Sequence, residues 1–284
     1  MRYARLKACA AAWLVLAATP LCAQTILHSE KSAFEDIVVY EAGGERCMKF
    51  GSVFAPGRQS CQLPERPHEL LFDYTRMMMG ALYLRPDPQR ILIIGLGGGS
   101  LPTALASAVP QARIDVVEID PAVVRVAHQF FGFREGPNMR VHVADGREFV
   151  QAAGRSGDRY DLVMLDAFDE TYIPRHLSTV EFMREVRAIL VPGGVLASNT
   201  FASSASYASE SATYAEVFGE FYNLRSANRV ILASTGGLPD RETLAERARA
   251  LRPRLAPMKV DDARLLPMFS TRRDWPGDAK ALRD

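Results

Sequence analysis

A short glycine-rich segment constrains the fold of this chain more than any other feature. The apolar run Ile91 to Ile94 is followed directly by Gly95-Leu96-Gly97-Gly98-Gly99-Ser100, and helical spacing resumes at Leu101. Glycines at such a strand-to-helix turn let the backbone pass close to a ligand. Glu118 ends the next apolar run, where an acidic side chain typically accepts hydrogen bonds from ribose hydroxyls. Together, the loop and the acid predict a nucleoside-binding unit.

The chain around this unit alternates strand-like and helix-like segments. Short apolar runs predict buried parallel strands at 91–94, 114–117, 141–143, 162–165 and 195–197. Helical spacing separates them at 101–108, 123–130 and 179–190. Two more strands, 221–224 and 229–233, are joined by a connection short enough for an antiparallel hairpin. We therefore expect an α/β fold with a mostly parallel sheet and helices on both faces.

The first 23 residues have the pattern of a secretory signal peptide. Arg2, Arg5 and Lys7 precede the apolar run Ala8 to Ala18, and Leu21-Cys22-Ala23 ends in a small residue. This run is shorter than the roughly 20 apolar residues of a membrane span. We expect cleavage after Ala23 and an exported protein, periplasmic or secreted. Cys22 also permits a lipoprotein signal, although Leu21 stands where such a signal has a small residue.

Charge and hydropathy limit the kinds of partner that this chain is expected to bind. Cleavage would change the formal net charge from +1 to −2, because the removed segment carries three positive and no negative side chains. The 34 basic residues balance 33 acidic ones and form no basic block, so a nucleic-acid partner is not expected. No apolar segment of spanning length follows the signal peptide, and we expect no membrane association after cleavage.

The mature chain divides into three parts. Residues 24–66 are typical of a small antiparallel β-hairpin domain, with strand-like runs on both sides of Gly43-Gly44. Residues 67–252 form the predicted nucleoside-binding domain, which opens with helical spacing from Glu69 to Leu84. Residues 253–284 are rich in proline and charge, and we expect this tail to pack loosely.

Two cysteines remain after cleavage. Cys47 and Cys61 flank the turn-rich stretch Gly51 to Gly57, which would place them opposite each other on a hairpin. In an oxidising compartment they would form a disulfide, but the sequence equally allows two unpaired buried thiols. The five histidines show no metal-ligand spacing, and we expect no metal.

Further carboxylates follow the third and fourth predicted strands. Asp145-Gly146 comes after the third strand, and Asp166 and Asp169 come after the fourth. At the rim of a nucleoside site these carboxylates would attract a cationic amine and accept a proton. Each alone also fits an ordinary turn or a solvated acidic loop. The glycine loop and Glu118 favour the functional interpretation.

The run from Arg90 to Asn199 resembles the spermidine synthase (polyamine aminopropyltransferase) family, a branch of the class I S-adenosylmethionine-dependent methyltransferase fold. The matching segments are ILIIGLGGGS, VVEIDP, ADG with Phe149, and YDLVMLDAFD. Lys31-Ser32, Arg58-Gln59 and Tyr74 resemble the family's amino-terminal part. The resemblance implies a Rossmann-like seven-stranded sheet behind a small β domain, an adenosyl sulfonium cofactor, a small amine or polyamine substrate, no metal, and a homodimer.

The resemblance also implies roles for the matching residues. Asp166 would accept a proton from the attacking amine, which is nucleophilic only when unprotonated. Asp169, Tyr74 and Gln59 would bind the amine substrate. The cofactor would contact Glu118 through its ribose, Asp145 and Gly146 through its adenine, and Gly95, Gly97, Gly98 and Gly99 through its amino-acid or aminopropyl chain.

Two departures from the family pattern concern charge. The family usually has G-G-G-D-G-G in the first loop, with the acid holding the primary amine of decarboxylated S-adenosylmethionine, and Gly98 stands in the place of that acid. The family also tends to have His and Glu after the tyrosine, where this chain has Thr75 and Arg76, and Arg76 would repel a polyamine if it faced the pocket. These departures leave more than one reaction open.

Aminopropyl transfer to an amine is the first interpretation. The alternative is methyl transfer from S-adenosylmethionine to an amine, because GLGGGSLP, VEIDP, Phe131 to Phe133 and VHVADG also resemble a methyltransferase domain that acts on elongation factor 1A. A third possibility is an exported, non-catalytic nucleoside- or polyamine-binding protein, because S-adenosyl cofactors are made in the cytoplasm.

Overall fold

The computed structural model describes residues 24–52, 58–168 and 173–284. The predicted signal peptide and Asp169 therefore lie outside the described residues. Within these three ranges, no helix combines the length and the apolar character that crossing a bilayer requires.

The amino-terminal part is a four-stranded antiparallel sheet in chain order. Its strands are β1 (Thr25–Glu30), β2 (Ile37–Ala42), β3 (Glu45–Phe50) and β4 (Ser60–Gln62). Gly43 and Gly44, both with positive φ, form the tight turn between β2 and β3. Ile37, Val39 and Met48 belong to the same hydrophobic cluster as the methionines that follow in the first helix. The small sheet is thereby packed onto the larger domain.

Register between β3 and β4 places Cys47 directly opposite Cys61. The two sulfur atoms form a disulfide bond. Glu45 lies near both sulfurs, but cysteines engaged in a disulfide have no thiolate to offer a metal. The bond ties the short strand β4 to the rest of the small sheet.

A seven-stranded sheet forms the centre of the larger domain, in the order β10-β11-β9-β8-β5-β6-β7. Five of its strands are parallel: β5 (Arg90–Ile94), β6 (Arg113–Glu118), β7 (Met139–Val143), β8 (Tyr160–Leu165) and β9 (Leu190–Phe201). The hairpin of β10 (Tyr222–Arg225) and β11 (Asn228–Ser234) adds an antiparallel edge. The expected mixed α/β fold is confirmed. β9 begins at Leu190, five residues before the start of the predicted strand 195–197.

Nine α-helices lie in the described ranges. Their bounds are α1 (Asp73–Met79), α2 (Ala81–Leu84), α3 (Ser100–Ala108), α4 (Pro121–Phe130), α5 (Gly146–Ser156), α6 (Val180–Ile189), α7 (Tyr207–Phe218), α8 (Arg241–Leu255) and α9 (Asp262–Leu265). The single helix expected over 69–84 is wrong at its start and middle. Leu70 lies before the first helix, and its backbone N–H donates to the Met258 carbonyl. Gly80 separates α1 from α2.

The prediction of a loosely packed carboxy-terminal tail is also wrong. α8 continues past residue 252, so the expected boundary at 253 falls inside a helix. Val260 and Phe269 are buried in the core. Asp284 forms an ion pair with Arg147 and accepts a hydrogen bond from Thr179 at 2.7 Å. Scattered apolar residues among the prolines and charges are enough to fold this segment back onto the domain.

Chain order reverses beside β5, which pairs with β6 on one side and β8 on the other. The loops after β5 and β8 therefore leave the sheet in a crevice at its carboxyl edge, the usual ligand position in open α/β sheets.

Candidate active site

A cavity of about 410 Å³ lies at this carboxyl edge, between the loops of the large sheet and the small sheet. Its lining includes eight residues expected from the sequence: Gln59, Tyr74, Gly95, Gly97, Glu118, Asp145, Gly146 and Asp166. The fold thus brings together side chains from four strand ends, from α1 and from the small sheet. Gly98 and Gly99 are not part of this lining.

The glycine loop after β5 requires glycine for reasons visible in its contacts. Gly95 has φ of +101°, and a side chain there would collide with the Asp166 carbonyl. A Cβ at Gly99, which has φ of +78°, would lie 2.5 Å from the Phe133 ring. The loop is therefore packed between the start of the Asp166 loop and the aromatic residues after α4.

Gly98 is closed to a side chain by its neighbours. A Cβ at this position would lie 2.7 Å from Ser60 Oγ and 2.8 Å from Phe131 Cδ1. Phe131 is buried, so its ring has little room to move. The place that holds an acid in the family's usual loop is occupied here by a phenyl ring and a serine hydroxyl.

Glu118 sits at the end of β6 and is fixed by backbone donors. Its carboxylate accepts hydrogen bonds of 3.0 Å from the N–H groups of Leu96 and Asp120. Burial raises the pKa of Glu118, although these donors oppose that shift. The carboxylate is therefore oriented beside the glycine loop, with the capacity to accept further hydrogen bonds from a ligand.

Asp145 caps the amino terminus of α5. Its side chain accepts hydrogen bonds from the N–H groups of Arg147 and Glu148, and from His176 Nε2 at 2.8 Å. Burial works to raise the pKa of Asp145, but the backbone donor Glu148 and His176 outweigh it and lower the pKa. Asp145 thus combines a capping role with a charged face toward the cavity.

Asp166 follows β8 and has a strongly shifted pKa. Burial raises its pKa to about 7, while hydrogen bonds from Asn199 and Tyr74 oppose the shift. The Asn199 Nδ2 donor lies 2.8 Å from Asp166 Oδ1. Burial, and after it proximity to Asp166, raises the pKa of Tyr74 well above its ordinary value, so Tyr74 stays a neutral donor. A carboxyl group with a pKa near neutrality can accept a proton from an amine and release it again.

The lining carries acidic and aromatic side chains and, among its described residues, no lysine or arginine. The carboxylates are Glu35, Glu118, Asp120, Asp145 and Asp166, and the aromatic rings include Phe34, Phe50, Phe72 and Phe168. Arg76 instead pairs with Asp73 and donates to the Leu70 carbonyl. The repulsion considered for Arg76 therefore does not arise, and the cavity favours a cation with an apolar body.

Several residues of this site were not predicted from the sequence, among them Glu35, Ser60, His176 and Asn199. Asn199 had a usable signal, because it is a polar residue two positions beyond the fifth predicted strand, 195–197. Glu35 and Ser60 come from the small sheet and its loops, and only packing of that sheet on the large domain brings them to the cavity. His176 reaches Asp145 from a 3-10 turn, 31 residues further along the chain.

Comparison with known proteins adds an independent finding. The family model described as "Spermine/spermidine synthase domain" matches residues 71–229. Polyamine aminopropyltransferase of Vibrio vulnificus is 42% identical over 265 residues, covering 92% of this chain and 89% of that protein. The eEF1A lysine and N-terminal methyltransferase of Mus musculus is 40% identical over 124 residues, covering 41% of this chain and 18% of that protein.

A solved structure agrees on the fold. The spermidine synthase crystallised in complex with the transition-state analogue AdoDATO has a TM-score of 0.64 at 19% identity, covering 86% of this chain and 89% of that chain.

Proposed function

Since this chain belongs to the spermine/spermidine synthase family and is a transferase homologous to polyamine aminopropyltransferases, we propose that it moves the aminopropyl group of decarboxylated S-adenosylmethionine to a small amine. The observation that carries the proposal is the environment of Asp166. A buried carboxyl with a pKa of about 7 lies beside a nucleoside-type glycine loop, in a cavity whose described lining has five acidic residues and no lysine or arginine.

The donor set fits an adenosyl sulfonium cofactor. Gly95 and Gly97 leave room for a ligand beside the loop, Glu118 offers acceptors for ribose hydroxyls, and Asp145 offers an acceptor for an adenine amino group. When bound, such a cofactor supplies a carbon activated by a good leaving group. Charge also favours the decarboxylated form, because the carboxylate of S-adenosylmethionine would enter an acidic cavity without a described cationic side chain to meet it.

Asp166 has the central part in the proposed reaction. Its carboxylate attracts the acceptor ammonium group and takes one proton from it, so that the neutral nitrogen can attack. Tyr74 and Asn199 hold the carboxyl group in place and donate to its charged form. Phe34, Phe72 and Phe168 cover the apolar body of the acceptor, and Gln59 supplies a polar group at the same wall. Asp169 is a further candidate for binding the acceptor amine.

Methyl transfer is the second candidate. Gly98 lacks the acid that would repel the carboxylate of S-adenosylmethionine, and the backbone N–H groups of the loop can receive such a carboxylate. The methyltransferase relative matches a part of this chain. The two candidates differ in the donor, so binding separates them: calorimetric titration of the mature protein should show decarboxylated S-adenosylmethionine binding at least tenfold more tightly than S-adenosylmethionine. The reverse order would favour methyl transfer, and binding of neither would leave a non-catalytic protein.

Export is a further part of the proposal. Residues 1–23 have the signal-peptide pattern, and the disulfide between Cys47 and Cys61 suits an oxidising compartment. Intact-mass measurement of the protein recovered from a periplasmic extract should give a chain that begins at Gln24 and is 2 Da lighter than its dithiothreitol-reduced form. A chain retained in the cytoplasm with Met1 intact would contradict export.

A further inference from the structure

The Ser60 hydroxyl is a polar group of the cavity that has no part in the reaction described above. Ser60 opens β4 and lines the cavity, and its side chain lies against the glycine loop. A Cβ at Gly98 would lie 2.7 Å from the Ser60 hydroxyl, and a Cβ at Gly97 would lie 3.7 Å from it. Within the described ranges, no hydrogen bond occupies this hydroxyl. It can therefore accept or donate toward a ligand that follows the loop.

The strand that presents Ser60 is joined to β3 by backbone pairing and by the disulfide. Ser60 is the register partner of Met48, and the next residue, Cys61, is bonded to Cys47. The Gln59 N–H donates to the Met48 carbonyl at 2.9 Å. These bonds fix the hydroxyl relative to β3, whose Met48 is buried in the shared core. Ser60 is thus held in place by strand pairing and by the neighbouring disulfide.

Gly98 offers no alternative at this end of the cavity. The Phe131 ring and Ser60 itself exclude any side chain there, so a carboxylate cannot be supplied from the loop without displacing a buried ring. We propose that the Ser60 hydroxyl accepts a hydrogen bond from the primary ammonium group of the cofactor's aminopropyl chain and so determines donor specificity. This inference rests on the proposed function, because it assigns one subsite of the same cavity.

The neutral Ser60 hydroxyl should make a measurable contribution to the affinity for the decarboxylated cofactor. Hydrogen bonds to charged groups are stronger than neutral ones, and loss of one such bond corresponds to about a tenfold loss of affinity or more. Methylthioadenosine lacks the aminopropyl chain, so its affinity should not depend on Ser60. Comparing methylthioadenosine with the decarboxylated cofactor therefore separates an effect on binding of the aminopropyl chain from an effect on the whole site.

The test is calorimetric titration of the mature, disulfide-bonded protein with methylthioadenosine, decarboxylated S-adenosylmethionine and S-adenosylmethionine. Ser60→Ala should weaken decarboxylated S-adenosylmethionine about tenfold and leave methylthioadenosine within twofold. Ser60→Asp should recover the affinity lost in Ser60→Ala and weaken S-adenosylmethionine, because it adds the charge that Gly98 cannot carry. The matched control Ser156→Ala, whose hydroxyl bonds Asp158 at the far end of α5, should change none of the three.

Equal losses for methylthioadenosine and the decarboxylated cofactor in Ser60→Ala would show that Ser60 only supports the structure and would overturn the inference. Unchanged affinity for the decarboxylated cofactor would overturn it as well, while leaving the proposed function intact. A wild-type protein that binds no decarboxylated cofactor would overturn both together.

Discussion

Asn199 donates its side-chain amide to Asp166 across two neighbouring parallel strands, with 2.8 Å between Nδ2 and Oδ1. The pair follows directly on the register partners Leu165 and Ser198 of β8 and β9. Tyr74 donates to the same carboxyl group from α1. Burial favours the neutral acid, whereas the two donors favour the carboxylate. Their balance keeps the pKa of Asp166 near 7, where proton transfer in both directions is accessible.

Replacement of Asp166 by Asn should separate catalysis from cofactor binding. The amide keeps the size of the side chain but cannot accept the proton of the acceptor amine, so turnover should fall about 100-fold or more. Affinity for methylthioadenosine should stay within about threefold, because the nucleoside contacts lie at Glu118 and Asp145. Amine-dependent methylthioadenosine release and calorimetry measure the two quantities.

Asp158→Asn is the matched control, since Asp158 lies just before β8 at its opposite end and pairs with Arg90. It should retain wild-type turnover. Wild-type turnover in Asp166→Asn would remove Asp166 from the mechanism.

Loss of the Asn199 amide should move the pH profile in a defined direction. Catalysis requires the ionised carboxylate, so kcat/KM should rise as pH increases through about 7. Asn199→Ala removes a donor that favours the ionised form, which raises the pKa of Asp166 and shifts this rise to higher pH. Initial rates between pH 5.5 and 8.5 with one amine provide the measurement.

The amine's own ionisation is the same for all variants and does not create a difference between them. Asn138→Ala, whose exposed amide donates to the Pro110 carbonyl at 3.3 Å, should keep the wild-type profile. An unshifted rise in Asn199→Ala would mean that this hydrogen bond does not tune Asp166.

Glu118→Gln should weaken every adenosyl ligand alike. Gln presents an amide N–H₂ where Glu118 now accepts from Leu96 and Asp120, so one backbone donor loses its partner and a ribose acceptor is lost. We expect an affinity loss of about tenfold or more for methylthioadenosine and for both forms of the cofactor. Titration with all three ligands checks this. If only the two forms of the cofactor lost affinity and methylthioadenosine did not, Glu118 would contact the chain on sulfur and not the ribose, which would contradict this assignment.

Removal of the disulfide should reduce stability and loosen β4. The bond closes a loop between residues 14 apart, for which a contribution of about 3 kcal/mol to the free energy of unfolding is typical. The double variant Cys47→Ser, Cys61→Ser should therefore unfold at lower temperature, and it should bind the cofactor less tightly because Gln59 and Ser60 lie on or beside β4. Differential scanning calorimetry and titration measure both effects.

Dithiothreitol should lower the unfolding temperature of the wild-type protein and leave the double variant unchanged. The same unfolding temperature in both proteins without reductant would show that the bond contributes nothing to stability.

The parallel sheet could be predicted from the sequence because its strands are short apolar runs that each end in chemistry-bearing residues. Gly95, Glu118, Asp145 and Asp166 stand at strand ends or at most two residues beyond them, so their meeting at one edge follows from the fold. The same reasoning missed α5, α7 and α8, whose polar faces dilute the apolar spacing. The break at Gly80 depends on packing of α1 and α2 against distant segments, including Phe269, which lies near Gly80.

The second wall of the cavity could not be derived in this way. Phe34, Glu35 and Ser60 lie in the small sheet or its loops, and their positions depend on how Ile37, Val39 and Met48 pack against the larger domain. The closure of Gly98 is equally invisible in sequence, since Phe131 reaches it from the end of a different helix. Local patterns indicate which strand ends carry chemistry, but not which surface covers them.

The most direct test of aminopropyl transfer is mass spectrometry of the nucleoside products. The purified mature protein would be incubated with a mixture of aliphatic amines and, in parallel, with decarboxylated S-adenosylmethionine or S-adenosylmethionine. Aminopropyl transfer predicts methylthioadenosine from the decarboxylated cofactor, formed only when amine is present, with an acceptor heavier by one aminopropyl group. S-adenosylhomocysteine from S-adenosylmethionine, with no methylthioadenosine in the other reaction, would contradict it.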